Sequence, residues 1–149
     1  MEISILHVVK NLGEKIEREK IKLLRLNSLV RKCNSEIDGM PHAHKGSSRV
    51  EQLAAAIVDC SNRIKDLSLI RVDCRIELAV WLDTYVTDKA QNQILFLRYG
   101  MCKPFAVIAR ELGYSESSVF RLHRLGLHTL QIKQTLSEIW EFDSCITVA

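Results

Sequence analysis

The sequence predicts an all-α protein in which a long antiparallel helical hairpin, of the coiled-coil type, precedes a helix-turn-helix domain. Apolar residues recur at alternating steps of four and three in both halves of 1–86, which is the heptad pattern of packed helices. Pro41 and two glycines interrupt this pattern at 39–48 and predict a loop. Beyond that region, glycines divide shorter helical patterns, so we expect two domains, 1–86 and 87–149.

The composition is that of an ordinary globular chain, with 149 residues of which 47% are hydrophobic and 26% charged. The longest unbroken apolar run, 78–82, is far shorter than the ~20 residues of a membrane-spanning helix. The N-terminus also lacks the pattern of a signal peptide. We therefore expect a cytoplasmic protein with no membrane partner, whose five cysteines remain reduced.

Each helix of the predicted hairpin has one charged residue in its apolar seam, Glu19 in the first and Arg71 in the second. A heptad register that pairs these two residues avoids burying either charge alone, so we predict that Glu19 faces Arg71. The alternative is that both charges are solvated where the seam frays. Gly13 weakens the first helix, which leaves open a separate short helix at 1–12.

The second helix carries a further apolar stripe on a face that points away from the seam. Its members are Leu69, Val72, Ile76 and Val80. Exposed apolar surface of this kind needs cover. Two alternatives could bury this stripe. One is a second copy of the chain, which would form a homodimer through the hairpin, and the other is the C-terminal domain folded back over it.

The region after 87 reads as three helices with short connections. The first spans 88–99 and stops at Gly100, and Pro104 suits the first turn of the second, which ends at Gly113. Ser115 is the expected N-cap of the third helix. A helix, a glycine turn and a second helix form the helix-turn-helix plan. Its expected shared core is Ile108, Leu112, Val119 and Leu122, with small Ala109 at the crossing.

The outer face of the third helix is the expected DNA-reading surface, because residues 98–133 carry six basic and two acidic side chains. Arg121 suits a base contact, since a guanidinium matches the two acceptors of guanine. Ser117 and Ser118, near the positive helix end, suit phosphate or short base contacts. Phe120 is expected either to touch a thymine methyl group or to pack on a neighbouring helix. Four residues would hold the DNA backbone: Lys103, Arg110, Arg124 and His128. Arg98 is expected to be structural.

Three motifs carry a family resemblance: hydrophobic-Arg-Tyr-Gly at 97–100, I-A-x-x-L-G-Y-S at 108–115 and V-x-R-L-H-R at 119–124. They resemble region 4 of sigma-70-type factors, and the chain over roughly 20–130 is similar to the sigma-region-4-like regulators of phages and integrated elements, including late-gene activators of the ArpU and RinA type. This resemblance implies a transcription regulator of double-stranded DNA, associated with the nucleoid, with RNA polymerase as a further candidate partner. It also implies that five residues face DNA: Ser115, Ser117, Ser118, Arg121 and Arg124.

The glycines form neither a G-x-G-x-x-G motif nor a P-loop, and neither G-x-S-x-G nor H-E-x-x-H occurs. We expect no enzyme activity and no cofactor. His42 and His44 lie close together but have no adjacent carboxylate or cysteine, so we expect no metal site. Beyond Gly126, which weakens the third helix, an apolar helical pattern suits docking on the hairpin, dimerisation or polymerase binding. Two alternative functions are a small terminase-like subunit that recognises DNA for genome packaging and a coiled-coil adaptor that binds only protein.

Overall fold

The computed structural model describes residues 4–37 and 45–146, with side chains described at 5–35 and 49–133. Within these residues the chain is helical, with short connections and no strand. The all-α prediction is therefore confirmed. No described helix is both long enough and apolar enough to cross a membrane.

The helices follow one another in the order that the sequence predicts. They are α1 (Ser4–Ile37), α2 (Lys45–Tyr85), α3 (Lys89–Leu95), a π-helical turn (Phe96–Gly100), α4 (Phe105–Leu112) and α5 (Glu116–Ile146). Helix α1 is continuous through Gly13, so the separate short helix left open at 1–12 does not occur within the described residues. One detail differs from expectation. Helix α2 begins at Lys45, so the predicted loop 39–48 extends too far at its C-terminal side.

The chain divides into two compact units at places other than the predicted boundary at 86. The core unit consists of Met1–Gly13 and Val72–Ala149, and the helix-pair unit consists of Glu14–Arg71. The start of α1 and the end of α2 thus belong with the short helices that follow. The reason is a shared apolar core, which sequence periodicity along α1 and α2 does not reveal.

The main core of the core unit joins residues from the start of α1, the end of α2, α3, the π-helical turn and α5. Its buried members are Leu6, Val9, Leu78, Trp81, Leu82, Val86, Leu95, Tyr99 and Leu130. The N-terminus of α3 is capped by Asp88, whose carboxylate accepts a hydrogen bond from the Gln91 amide at 3.0 Å. This core holds the C-terminal helices in place.

In the helix-pair unit, Glu19 lies beside Cys60 and Arg63, not opposite Arg71 as predicted. The Cys60 thiol donates to the Glu19 carbonyl oxygen at 3.3 Å and to Oε2 at 3.4 Å, and Arg63 Nε lies 3.9 Å from Oε2. Burial and the neighbouring Glu19 raise the pKa of this thiol. The predicted register is therefore wrong, since Cys60 and Arg63 stand eleven and eight positions before Arg71.

Candidate nucleic-acid interface

A second apolar cluster fixes α4 against α3 and α5. Ile94, Ile108, Ala109 and Val119 are buried, and Leu97, Phe105, Leu112 and Leu122 pack partly buried around them. The predicted shared core of the second and third short helices is thereby confirmed. Because Ala109 is small, the backbones of α4 and α5 can approach closely at their crossing.

The connection between α4 and α5 depends on Gly113. This residue has φ +72° and ψ +27°, a left-handed conformation that glycine adopts without strain. The amide of Tyr114 donates to the Ala109 carbonyl at 3.0 Å, which closes the end of α4. Ser115 Oγ then accepts a hydrogen bond from the Ser118 amide at 3.2 Å, so the predicted N-cap is confirmed.

Four side chains form an exposed row along the start of α5, which we name the α5 row: Ser117, Arg121, Arg124 and His128. They occupy positions i, i+4, i+7 and i+11, which share one face of a helix. Ser115, before the helix, and Arg110, on α4, are also exposed. Ser118 is half-buried, and its hydroxyl accepts a hydrogen bond from Ser115 Oγ at 2.9 Å. The α5 row thus presents two guanidinium groups and one imidazole to solvent.

Phe120 packs against an aromatic ring of a neighbouring helix, as one of its two interpretations expects. Its ring lies 4.4 Å from that of Phe105, between centroids, yet 48% of the residue remains exposed. The Arg98 guanidinium lies 4.3 Å from the Phe105 ring centroid, and Nη1 donates to the Lys103 carbonyl at 3.1 Å. Arg98 therefore has the structural role predicted for it, and Phe120 packs on α4 while keeping a solvent-facing edge.

Lys103, predicted to hold the DNA backbone, forms an ion pair within the chain. Its Nζ lies 2.7 Å from both carboxylate oxygens of Glu111, and the pair is only partly exposed. The opposite charge of Glu111 already compensates Lys103, so a phosphate contact would require this pair to open.

A partly buried pair that sequence reasoning missed links α5 to the π-helical turn. Tyr99 Oη and His123 Nε2 are joined by a hydrogen bond of 3.1 Å, and their rings stack with centroids 5.7 Å apart. His7 of α1 packs edge-on against Tyr99, also at 5.7 Å. The inward phase of His123, two residues after Arg121, was the available signal, but nothing in the pattern identified Tyr99 as its partner.

Burial controls the titration of this pair. It lowers the pKa of His123, and the positive charge of Arg98 lowers it further. Burial raises the pKa of Tyr99, against the opposing effect of Arg98. Both shifts favour the neutral form of the group concerned.

No group of three or more His, Cys, Asp or Glu side chains in the described part of the chain is placed to hold a metal ion. His42 and His44 lie outside the described residues. No family model, curated protein or solved structure matches this chain. Its function is therefore inferred from its own residues and their geometry.

Proposed function

We propose that the chain is a sequence-specific transcription regulator that reads the major groove of double-stranded DNA with the first turns of α5. In this proposal α4, the turn at Gly113 and the start of α5 form a helix-turn-helix of the sigma-70 region 4-like kind. The observation that carries it is the exposed, cationic α5 row above a buried apolar core. A rigid support beneath a solvent-facing row is what a recognition helix needs.

The dimensions of the helix and the groove agree. A helix with its side chains is ~10–12 Å across, and the major groove is ~12 Å wide. Arg121, in the second turn, would donate a bidentate pair of hydrogen bonds to guanine. Ser115 and Ser117 lie at the helix N-terminus, where backbone amides and the helix dipole favour a phosphate. The exposed edge of Phe120 would contact a thymine methyl group.

The remaining basic residues position the duplex without reading its sequence. Arg110, Arg124 and His128 are exposed and would contact phosphates. Lys103 would join them only if its pair with Glu111 opened. We assign base reading mainly to Arg121 because it lies centrally in the α5 row.

The regulator is proposed to act as a homodimer through its helical hairpin. Val72, Ile76 and Val80 on α2 stay more than half exposed, which supports cover by a second copy. Two recognition helices in such a dimer would read half-sites separated by multiples of ~10.5 base pairs. RNA polymerase is the further partner that the resemblance to region 4 implies.

The test begins with selection of bound duplexes from a random pool, followed by anisotropy measurements on the selected site. Arg121→Ala is expected to weaken binding by ~1–3 kcal/mol and to relax preference at one base position. Arg31→Ala is the matched control, because Arg31 is an exposed arginine on α1 and should leave base preference unchanged.

Unchanged affinity and base preference in Arg121→Ala would contradict reading by α5. Failure to bind any duplex at low salt would favour the protein-binding adaptor. A solution mass corresponding to a ring of many copies would favour the packaging subunit.

A further inference from the structure

The helix-pair unit holds a second concentration of positive charge. Residues 15–32 carry seven basic and two acidic side chains, a net charge of +5, against +4 for 98–133. All seven basic side chains are exposed. This charge lies on α1, away from the sequence motifs that suggest DNA binding.

Four of these side chains share one face of α1, and we name them the α1 row: Arg18, Lys22, Arg25 and Lys32. They stand at i, i+4, i+7 and i+14, which places them along one side of a helix. At 1.5 Å per residue the row is ~21 Å long. Leu29, at i+11 of the same face, is 40% exposed.

The two acidic groups within 15–32 are engaged elsewhere. Glu17 accepts a hydrogen bond from Lys20 at 2.8 Å, which lowers the pKa of Glu17, and Glu19 lies beside Arg63. Within the part of the chain that the structure describes, no member of the α1 row is in an ion pair. The four side chains of the row face solvent, and Arg18 Nε donates to the Glu14 backbone carbonyl oxygen at 3.4 Å.

We propose that the α1 row is a second DNA-binding surface, which holds the phosphate backbone without reading bases. One strand of B-form DNA presents a phosphate every ~3.4 Å of axis, so ~21 Å faces about six phosphates. Four flexible cations along such a length suit counterion exchange with one strand. This inference rests on the proposed function for the identity of the polyanion.

A nucleic acid fits the row better than a protein or a membrane does. Helix α1 contains no Trp, Tyr or Phe, whereas aromatic anchors dominate protein interfaces and membrane-surface helices. The exposed apolar residues Ile21 and Leu24 lie to one side of the row on the helical wheel. A duplex on the row would leave them uncovered.

The test measures how binding of a labelled duplex of mixed sequence to the full chain depends on salt. The row variant carries Arg18→Gln, Lys22→Gln, Arg25→Gln and Lys32→Gln, since glutamine keeps the helix propensity. Losing four phosphate contacts makes the slope of log K against log salt less negative by about 3.6. Over a fourfold rise in salt, wild type should lose about 150-fold more affinity than this variant.

The control variant removes the same charge from exposed positions off the row: Arg31→Gln, Arg49→Gln, Lys65→Gln and Lys89→Gln. Its slope should equal that of wild type, and circular dichroism should show equal helix content in all three proteins. A wild-type slope in the row variant would overturn the proposal, as would an equal change in the control. The proposal would also be overturned if the row variant lost binding to anionic phospholipid vesicles while its duplex binding stayed unchanged.

Arg121→Ala on the selected site separates this inference from the proposed function. A reduced slope in the row variant with no effect of Arg121→Ala would support the α1 row and contradict reading by α5. A wild-type slope in the row variant, together with weaker binding by Arg121→Ala, would support the regulator proposal and overturn the α1 row.

Discussion

The core unit and the helix-pair unit bury very different shares of their apolar residues. Among the hydrophobic residues that the structure describes as buried, only Ile16 and Cys60 belong to Glu14–Arg71, and the rest belong to the core unit. Two helices in contact leave seam residues half-buried, because neither can surround a side chain. The helix-pair unit therefore contributes surface and charge, whereas the core unit contributes most of the packing.

The two regions also use their cations differently. Near α4, Arg98 stacks on Phe105 and Lys103 pairs with Glu111, so part of the positive charge maintains the fold. On α1 the cations of the α1 row remain in solvent. A count of charges along the sequence treats both regions alike, although only packing decides which charges are available to a ligand.

The largest expected effect tests the difference in packing. Ile108→Ala removes a fully buried side chain and should lower the free energy of unfolding by about 2–5 kcal/mol. Ile57→Ala, at a half-buried position of the helix-pair unit, should cost clearly less because its site is partly hydrated. Urea denaturation with a common m-value measures both.

Ile57→Ala could instead lower the free energy of unfolding as much as Ile108→Ala, and by more at lower protein concentration. That result would contradict the difference in packing between the two units. It would mean that a second copy covers the seam and gives the helix-pair unit a core that the single chain lacks.

A smaller effect is expected at Gly126, which is buried where α5 passes α3. A Cβ atom here would lie 2.9 Å from Leu95 Cδ1, and Leu95 is itself fully buried. Gly126→Val should therefore destabilise the protein by about 1–3 kcal/mol through overpacking, as measured by thermal unfolding. Leu125→Val, at the exposed neighbouring position, is the control and should change stability little. Wild-type stability in Gly126→Val would show that the α3–α5 contact is loosely packed.

The smallest effect concerns pH and the Tyr99–His123 pair. The pKa of His123 is lower in the folded chain than its ordinary 6.5 because of burial and Arg98, so the unfolded chain binds the proton more readily. The resulting stability is present above about pH 6.5 and is lost as the pH falls toward the folded pKa. His123→Gln should remove this part of the pH dependence, whereas His128→Gln, on the exposed face, should retain it. Identical pH profiles in wild type and His123→Gln would contradict the assignment.

Features that depend on neighbours along the chain could be predicted before the fold was known. The turn at Gly113, the cap at Ser115 and the inward phase of Ile108 and Val119 follow from left-handed backbone freedom, side-chain capping and helical period. These features depend on local interactions, so a single amino-acid sequence is enough to predict them. The outward phase of Arg121 and Arg124 follows in the same way.

Which distant residues meet follows from packing in three dimensions. The heptad pattern allowed several registers, and the chain adopts one in which Glu19 lies beside Arg63. Gly126 read as a weak point in a helix, but it is buried where α5 passes close to α3. Repeating patterns specify faces of helices, whereas connection lengths and packing select the partners of those faces.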